Sequence, residues 1–148
     1  MKDLYNNLKV VSVVDPVVAI NAVVITPVEV DLAGWNSALI IYATGLSGDV
    51  LSGSVYHTLT LEHADDDGTG VAGAYASVAT ADMLGVTPAS GVIYTVNDPA
   101  EDNTVYTCGY VGGKRFLKFT PLEVGTTTVG MPISVTVVKG HGRDAPNL

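Results

Sequence analysis

The chain reads as an all-β domain, an antiparallel β-sandwich or jelly-roll-like barrel with extended termini. Three observations predict it. Val, Ile, Thr and Tyr alternate with period two along several short runs, a pattern that fits a pleated, half-buried surface. Gly, Pro, Asn and Asp punctuate those runs at spacings of roughly 8–15 residues, as in sandwiches and barrels. Only Ala76 to Leu84 invites a helix, and its Val78 and Thr80 favour a loop or irregular strand with at most a single turn.

The elements follow in chain order. Leu8–Val14 and Val17–Ile25 are apolar runs split by Asp15-Pro16. Pro16 and Pro27 have no amide proton for a ladder, which predicts edges or strand ends. Ala38-Leu39-Ile40-Ile41-Tyr42 is apolar without alternation and predicts a strand covered on both faces. From Val55 to His63 the odd positions form a core face (Val55, His57, Leu59, Leu61, His63), and the even positions a wet one. Tyr106, Cys108 and Tyr110 alternate with Val105, Thr107 and Gly109; Arg115, Leu117 and Phe119 alternate with Lys114, Phe116 and Lys118; and Ile133, Val135 and Val137 form the apolar set of the last run. Gly112-Gly113 between two strand patterns predicts a two-residue hairpin pairing Thr104–Val111 with Lys114–Thr120. Residues 1–148 form one domain, with an N-terminal arm over about 1–11 and a C-terminal tail over about 140–148, where the apolar pattern stops.

Composition narrows the function. Hydrophobic residues make up 47% of the chain and charged residues 15%, against about 25% charged in an ordinary soluble domain. Two explanations stand side by side: a partner covers apolar surface, or the core is large and the surface rich in Ser and Thr. The net charge is −8 with seven Lys plus Arg, and the one basic cluster is Lys114, Arg115 and Lys118. Phosphate backbones demand clustered cations, so no direct nucleic-acid partner is expected. Cys108 is the single cysteine and is expected to be a small buried residue rather than a reactive thiol. No apolar run reaches the length of a membrane helix, and Met1–Asn7 lacks a charged segment leading into an apolar one. No membrane partner and no export are expected.

Each motif that could carry chemistry has a simpler structural role. Asp65-Asp66-Asp67-Gly68-Thr69-Gly70 is acidic enough for a calcium loop, but it lacks the alternating ligands and closing Glu of an EF-hand and suits a solvated turn better. His57 and His63 share a strand face but stand about 20 Å apart at roughly 3.3 Å per residue, too far to share a metal. His141 falls in the tail. No Ser occupies a nucleophile elbow, and Gly45-Leu46-Ser47-Gly48-Asp49 lacks the Lys of a phosphate loop. The expected inventory is therefore no catalytic residue, no cofactor and no metal ligand: a structural or binding protein rather than an enzyme.

Several phrases carry a family likeness. They are Met1–Val11, Val30–Ala38 with Trp35 in its small loop, Leu59–Gly68, the aromatic–Gly–Lys/Arg pair Tyr110–Lys118, and the closing Val137–His141. In their order they resemble a family of small proteins encoded beside the capsid genes of tailed bacteriophages. The resemblance implies a virion structural protein that decorates or cements the capsid exterior after synthesis in the host cytoplasm. It implies as partners the major capsid protein lattice and further copies of the chain, as a dimer or trimer. A receptor- or carbohydrate-binding module of a virion fibre and a head-completion protein are the alternatives. The terminal arms are the expected contact elements.

Overall fold

The structure, a computed structural model, describes residues 4–21, 23 and 25–142. Ten strands follow a short 3-10 turn at Tyr5–Asn7: β1 Lys9–Ala19, β2 Val28–Asp31, β3 Trp35–Thr44, β4 Tyr56–Ala64, β5 Ala76–Ser77, β6 Met83–Leu84, β7 Val92–Val96, β8 Val105–Tyr110, β9 Phe116–Val124 and β10 Met131–Gly142. They form two five-stranded antiparallel sheets packed as a sandwich. The first sheet runs β1-β10-β3-β8-β6. The second runs β2-β9-β4-β5, with β7 also paired to β4.

The alternation in the sequence accounts for the core. On β4, His57, Leu59, Leu61 and His63 turn inward and are buried, facing Leu117 and Phe119 of β9 on the same sheet. From the first sheet come Ile40 and Tyr42 of β3 and Val135 and Val137 of β10, all with essentially no exposure. Each such side chain contributes about 1.5–3 kcal/mol of transfer free energy. Ala76–Leu84 forms two two-residue strands around a 3-10 turn at Thr80–Asp82, in line with the sequence. Strand β1 lies at a sheet edge and passes through Asp15-Pro16 with register shifts between Ser12 and Val14 and between Val14 and Val17. Bulges of this kind, with a proline, blunt an edge that would otherwise invite another strand.

Three expectations are corrected. Gly112-Gly113 is not a hairpin turn: β8 pairs with β3 and β6 in the first sheet, whereas β9 pairs with β2 and β4 in the second. The segment crosses between the sheets instead. The Tyr110 hydroxyl accepts the Lys114 N–H at 3.2 Å, and a Cβ on Gly112 would collide with that same phenol ring. The apolar run in β3 is covered on one face only, because Leu39 points out of the sandwich and is 43% exposed. The arms are shorter than expected, since Lys9–Val11 belong to β1 and Gly140–Gly142 to β10. The rest of the tail and residues 1–3 lie outside the described residues.

Candidate contact surface

One end of the sandwich brings the acidic loop Asp65–Asp67 together with Lys114 and Arg115 of the basic cluster and joins them to each other. Arg115, just before β9, grips Asp31 at the end of β2 through two parallel bonds, Nε to Oδ1 at 2.8 Å and Nη2 to Oδ2 at 2.7 Å. Its remaining Nη1 reaches Asp66, and Lys114 pairs with Asp65. Asp66 Oδ1 also accepts the N–H groups of Gly68 and Gly70 at 2.8 and 2.9 Å, and Asp67 Oδ1 accepts the N–H and hydroxyl of Thr69, both at 2.7 Å. These donors hold the three carboxyls below the usual carboxylate range: Asp31 chiefly through Arg115, Asp66 through Gly70 and Gly68, Asp67 through the Thr69 hydroxyl. The acidic loop ties β2, the β4–β5 connection and the β8–β9 crossover together. Its oxygens already face protein donors. Among the described residues no group of three or more His, Cys, Asp or Glu side chains is arranged to hold a metal ion. The third basic residue, Lys118, is engaged by Glu62 at 2.7 Å.

The histidines go separate ways. His63 Nδ1 lies 3.0 Å from the Tyr110 hydroxyl inside the core. His57 is buried with neither ring nitrogen hydrogen-bonded within the protein, and burial lowers its pKa. His141, at the end of β10, meets the Ser37 hydroxyl through Nδ1 at 2.7 Å. Cys108 is buried, and burial pushes its thiol pKa up, which removes nucleophilic character. A cleft of about 260 Å³ opens beside Trp35, between the Leu32–Asn36 turn and Gly112–Arg115. Its only guanidinium is committed to Asp31 and Asp66.

The opposite end is fastened by one carboxylate. Asp49 accepts the N–H groups of Thr128, Val129 and Gly130, the last at 2.6 Å, and the Thr128 hydroxyl at 2.9 Å. These bonds, the Gly130 N–H foremost, hold its carboxyl below the usual range.

The two outer faces differ. Across the second sheet the register aligns Glu29, Lys118, Glu62 and Ser77 in one row. The Lys118 ammonium also sits 4.1 Å from the Tyr75 ring centre, and the Tyr75 hydroxyl donates to Glu29. Across the first sheet the equivalent row is Val10, Val138, Leu39, Gly109 and Leu84, one residue from each of the five strands. Val10, Leu39 and Leu84 are 66%, 43% and 58% exposed. The flanking row is Ser12, Thr136, Ile41 and Thr107, and the next holds Ser134 and Ala43 beside an exposed Val105. Leu8 packs over Gly140 at the other margin. The paired positions of these rows carry no charge, and the nearest carboxylate is that of Asp15 in the β1 bulge, which accepts the Ser12 hydroxyl at 2.6 Å. An exposed apolar row spanning a whole sheet marks a contact surface. The sequence signal for it is the Ser and Thr at Ser12, Thr107, Ser134 and Thr136, which stand between the apolar positions of β1, β8 and β10.

No family model, no curated protein and no solved structure matches the chain.

Proposed function

We propose that this chain is a virion structural protein that binds the exterior of a bacteriophage capsid and stabilises it, a decoration or cement protein. The observation that carries this is the exposed apolar row from Val10 to Leu84, which crosses the outer face of the first sheet. A rigid sandwich whose side chains are committed to one another offers contact rather than catalysis. Binding only the assembled shell stabilises that state by mass action. Repetition over a lattice lets modest individual contacts hold firmly. A sugar-binding role finds less support, because Trp35 is buried and Tyr42, Tyr94 and Tyr106 stack on one another with centroids 5.0–6.1 Å apart instead of forming an outer platform.

The test mixes purified protein with undecorated capsids. Co-sedimentation, with a rise in the temperature at which the shells rupture, is the expected result. Shells that pellet without the protein refute the proposal.

A further inference from the structure

We infer that the end of the sandwich fastened by Asp49 is a separate contact surface, which takes a basic, amphipathic protein segment. It lies away from the face that carries the function proposed above and does not depend on that function.

Three apolar side chains stand out of this end. Leu46 and Val50, between β3 and β4, and Val129, between β9 and β10, are 72%, 81% and 62% exposed. Their backbone is tied down. The Asp49 carboxylate accepts the N–H groups of Thr128, Val129 and Gly130. The Gly48 N–H donates to the Gly130 carbonyl at 2.9 Å, the Ser47 N–H to Asp102 at 2.8 Å and the Asn103 N–H to the Gly45 carbonyl at 3.1 Å. Gly48 lies so close to Val129 that a Cβ there would collide with its side chain. The loops therefore present the three side chains already ordered, which lowers the entropic cost of association. Apolar side chains held out on loops by a rigid scaffold mark a binding surface.

Charge selects the occupant. Asp98, Glu101 and Asp102 lie between β7 and β8 at this same end, with Asp102 against Ser47. Their oxygens accept backbone N–H groups: Asp98 that of Ala100, Glu101 those of Asn97 and Asp98, and Asp102 that of Ser47. Among the described residues no lysine or arginine joins them. Lys9, Lys114, Arg115 and Lys139 gather at the opposite end, and Lys118 is held by Glu62 on the outer face of the second sheet. A negative field without a local cation steers positive groups in and turns negative ones away. A second copy of the chain would bring the same carboxylates, and an anionic membrane its phosphates. A protein segment that interleaves leucine-like side chains with lysine or arginine meets both features at once.

Nuclear magnetic resonance of the full chain labelled with 15N, titrated with a synthetic peptide of alternating leucine and lysine, tests the inference. Amide shifts are expected at Gly45–Val50, Asp98–Asn103 and Thr128–Gly130. A serine–lysine peptide of equal length and charge is expected to bind at least about tenfold more weakly, and a leucine–glutamate peptide not to bind. The double variant Val50→Ser, Val129→Ser keeps Asp49 and its bonds and is expected to bind the leucine–lysine peptide about tenfold more weakly. Its amide spectrum checks that it folds. Absent shifts, or shifts centred on the first sheet or on the Asp65–Asp67 loop, overturn the inference. So does a serine–lysine peptide that binds as tightly, or a folded double variant that binds like the native chain. Shifts at this end that grow with protein concentration alone would assign it to a second copy. Pelleting with phosphatidylcholine vesicles, lost in the double variant, would assign it to a membrane. Either result also overturns the inference, and all of them leave shell binding through the first sheet untouched.

Discussion

Replacing His57 with Leu is expected to stabilise the protein, most strongly in mild acid. His57 is 2% exposed and its two ring nitrogens have no partner within the protein. Its register neighbours are Val96 on β7 and Glu123 on β9, and Asp49 is the charged group that acts on it. Leaving a buried polar group unpaired costs about 1–3 kcal/mol, and a leucine of similar volume removes that cost. Unfolding entropy for a chain of this length is about 0.3 kcal/mol/K, so Tm at pH 7 should rise by roughly 3–10 °C. The pH dependence has a definite sign. Burial lowers the folded-state pKa below the ordinary 6.5. The unfolded chain therefore binds the proton first, so this contribution to stability is complete above pH 6.5 and is lost as pH falls below it. The loss approaches about 1.4 kcal/mol per pH unit while only the unfolded state is protonated. Thermal unfolding followed by circular dichroism from pH 8 to 5 should show the native chain losing Tm across that window and His57→Leu losing less. A variant less stable than the native chain at pH 7, or an unchanged slope, would show that the unpaired His57 ring carries no such cost.

Other perturbations have equally definite outcomes. Phe119→Ala empties a fully buried site in the second sheet and should cost about 3–5 kcal/mol, read as a lower denaturant midpoint at constant m-value. Gly125 has φ +87°, and a Cβ there would strike the Ser54 carbonyl, so Gly125→Ala should destabilise by about 1–3 kcal/mol or more in the same assay. Asp49→Ala unties the 45–55 loop from Thr128–Gly130 and should speed limited proteolysis there. Since its folded pKa is depressed, the native chain should show the same sensitivity only as pH falls below 3.8. Millimolar calcium should leave Tm unchanged, because the Asp65–Asp67 carboxylates already face Lys114, Arg115 and backbone donors; a rise of several degrees would show that the loop takes the ion.

The parts of the fold written in local periodicity were legible. The alternation of Leu59, Leu61 and His63, and of Val135 and Val137, assigns faces because side chains reverse sides at each residue. Partnership between strands was not legible. Gly112-Gly113 satisfies a hairpin rule, yet β8 pairs with β3 and β6 while β9 pairs with β2 and β4, partners far from it in the chain. The Arg115–Asp31 pair joins residues 84 apart, a distance that spacing cannot read. The apolar run Ala38–Tyr42 is ambiguous for a physical reason. A strand in the middle of a sheet with an uncovered apolar face has the same composition as one buried on both sides. Only the register, which lines up Val10, Val138, Leu39 and Leu84, separates the two.

If the outer face of the first sheet meets a capsid shell, a charge at its centre must weaken shell binding. Shell binding by Leu39→Glu and Leu122→Glu, measured side by side as occupancy on undecorated capsids at equal protein concentration, tests it most directly. Leu122→Glu, at an exposed leucine on the other outer face, is expected to keep native occupancy and Leu39→Glu to lose most of it. Full occupancy by a folded Leu39→Glu would contradict it.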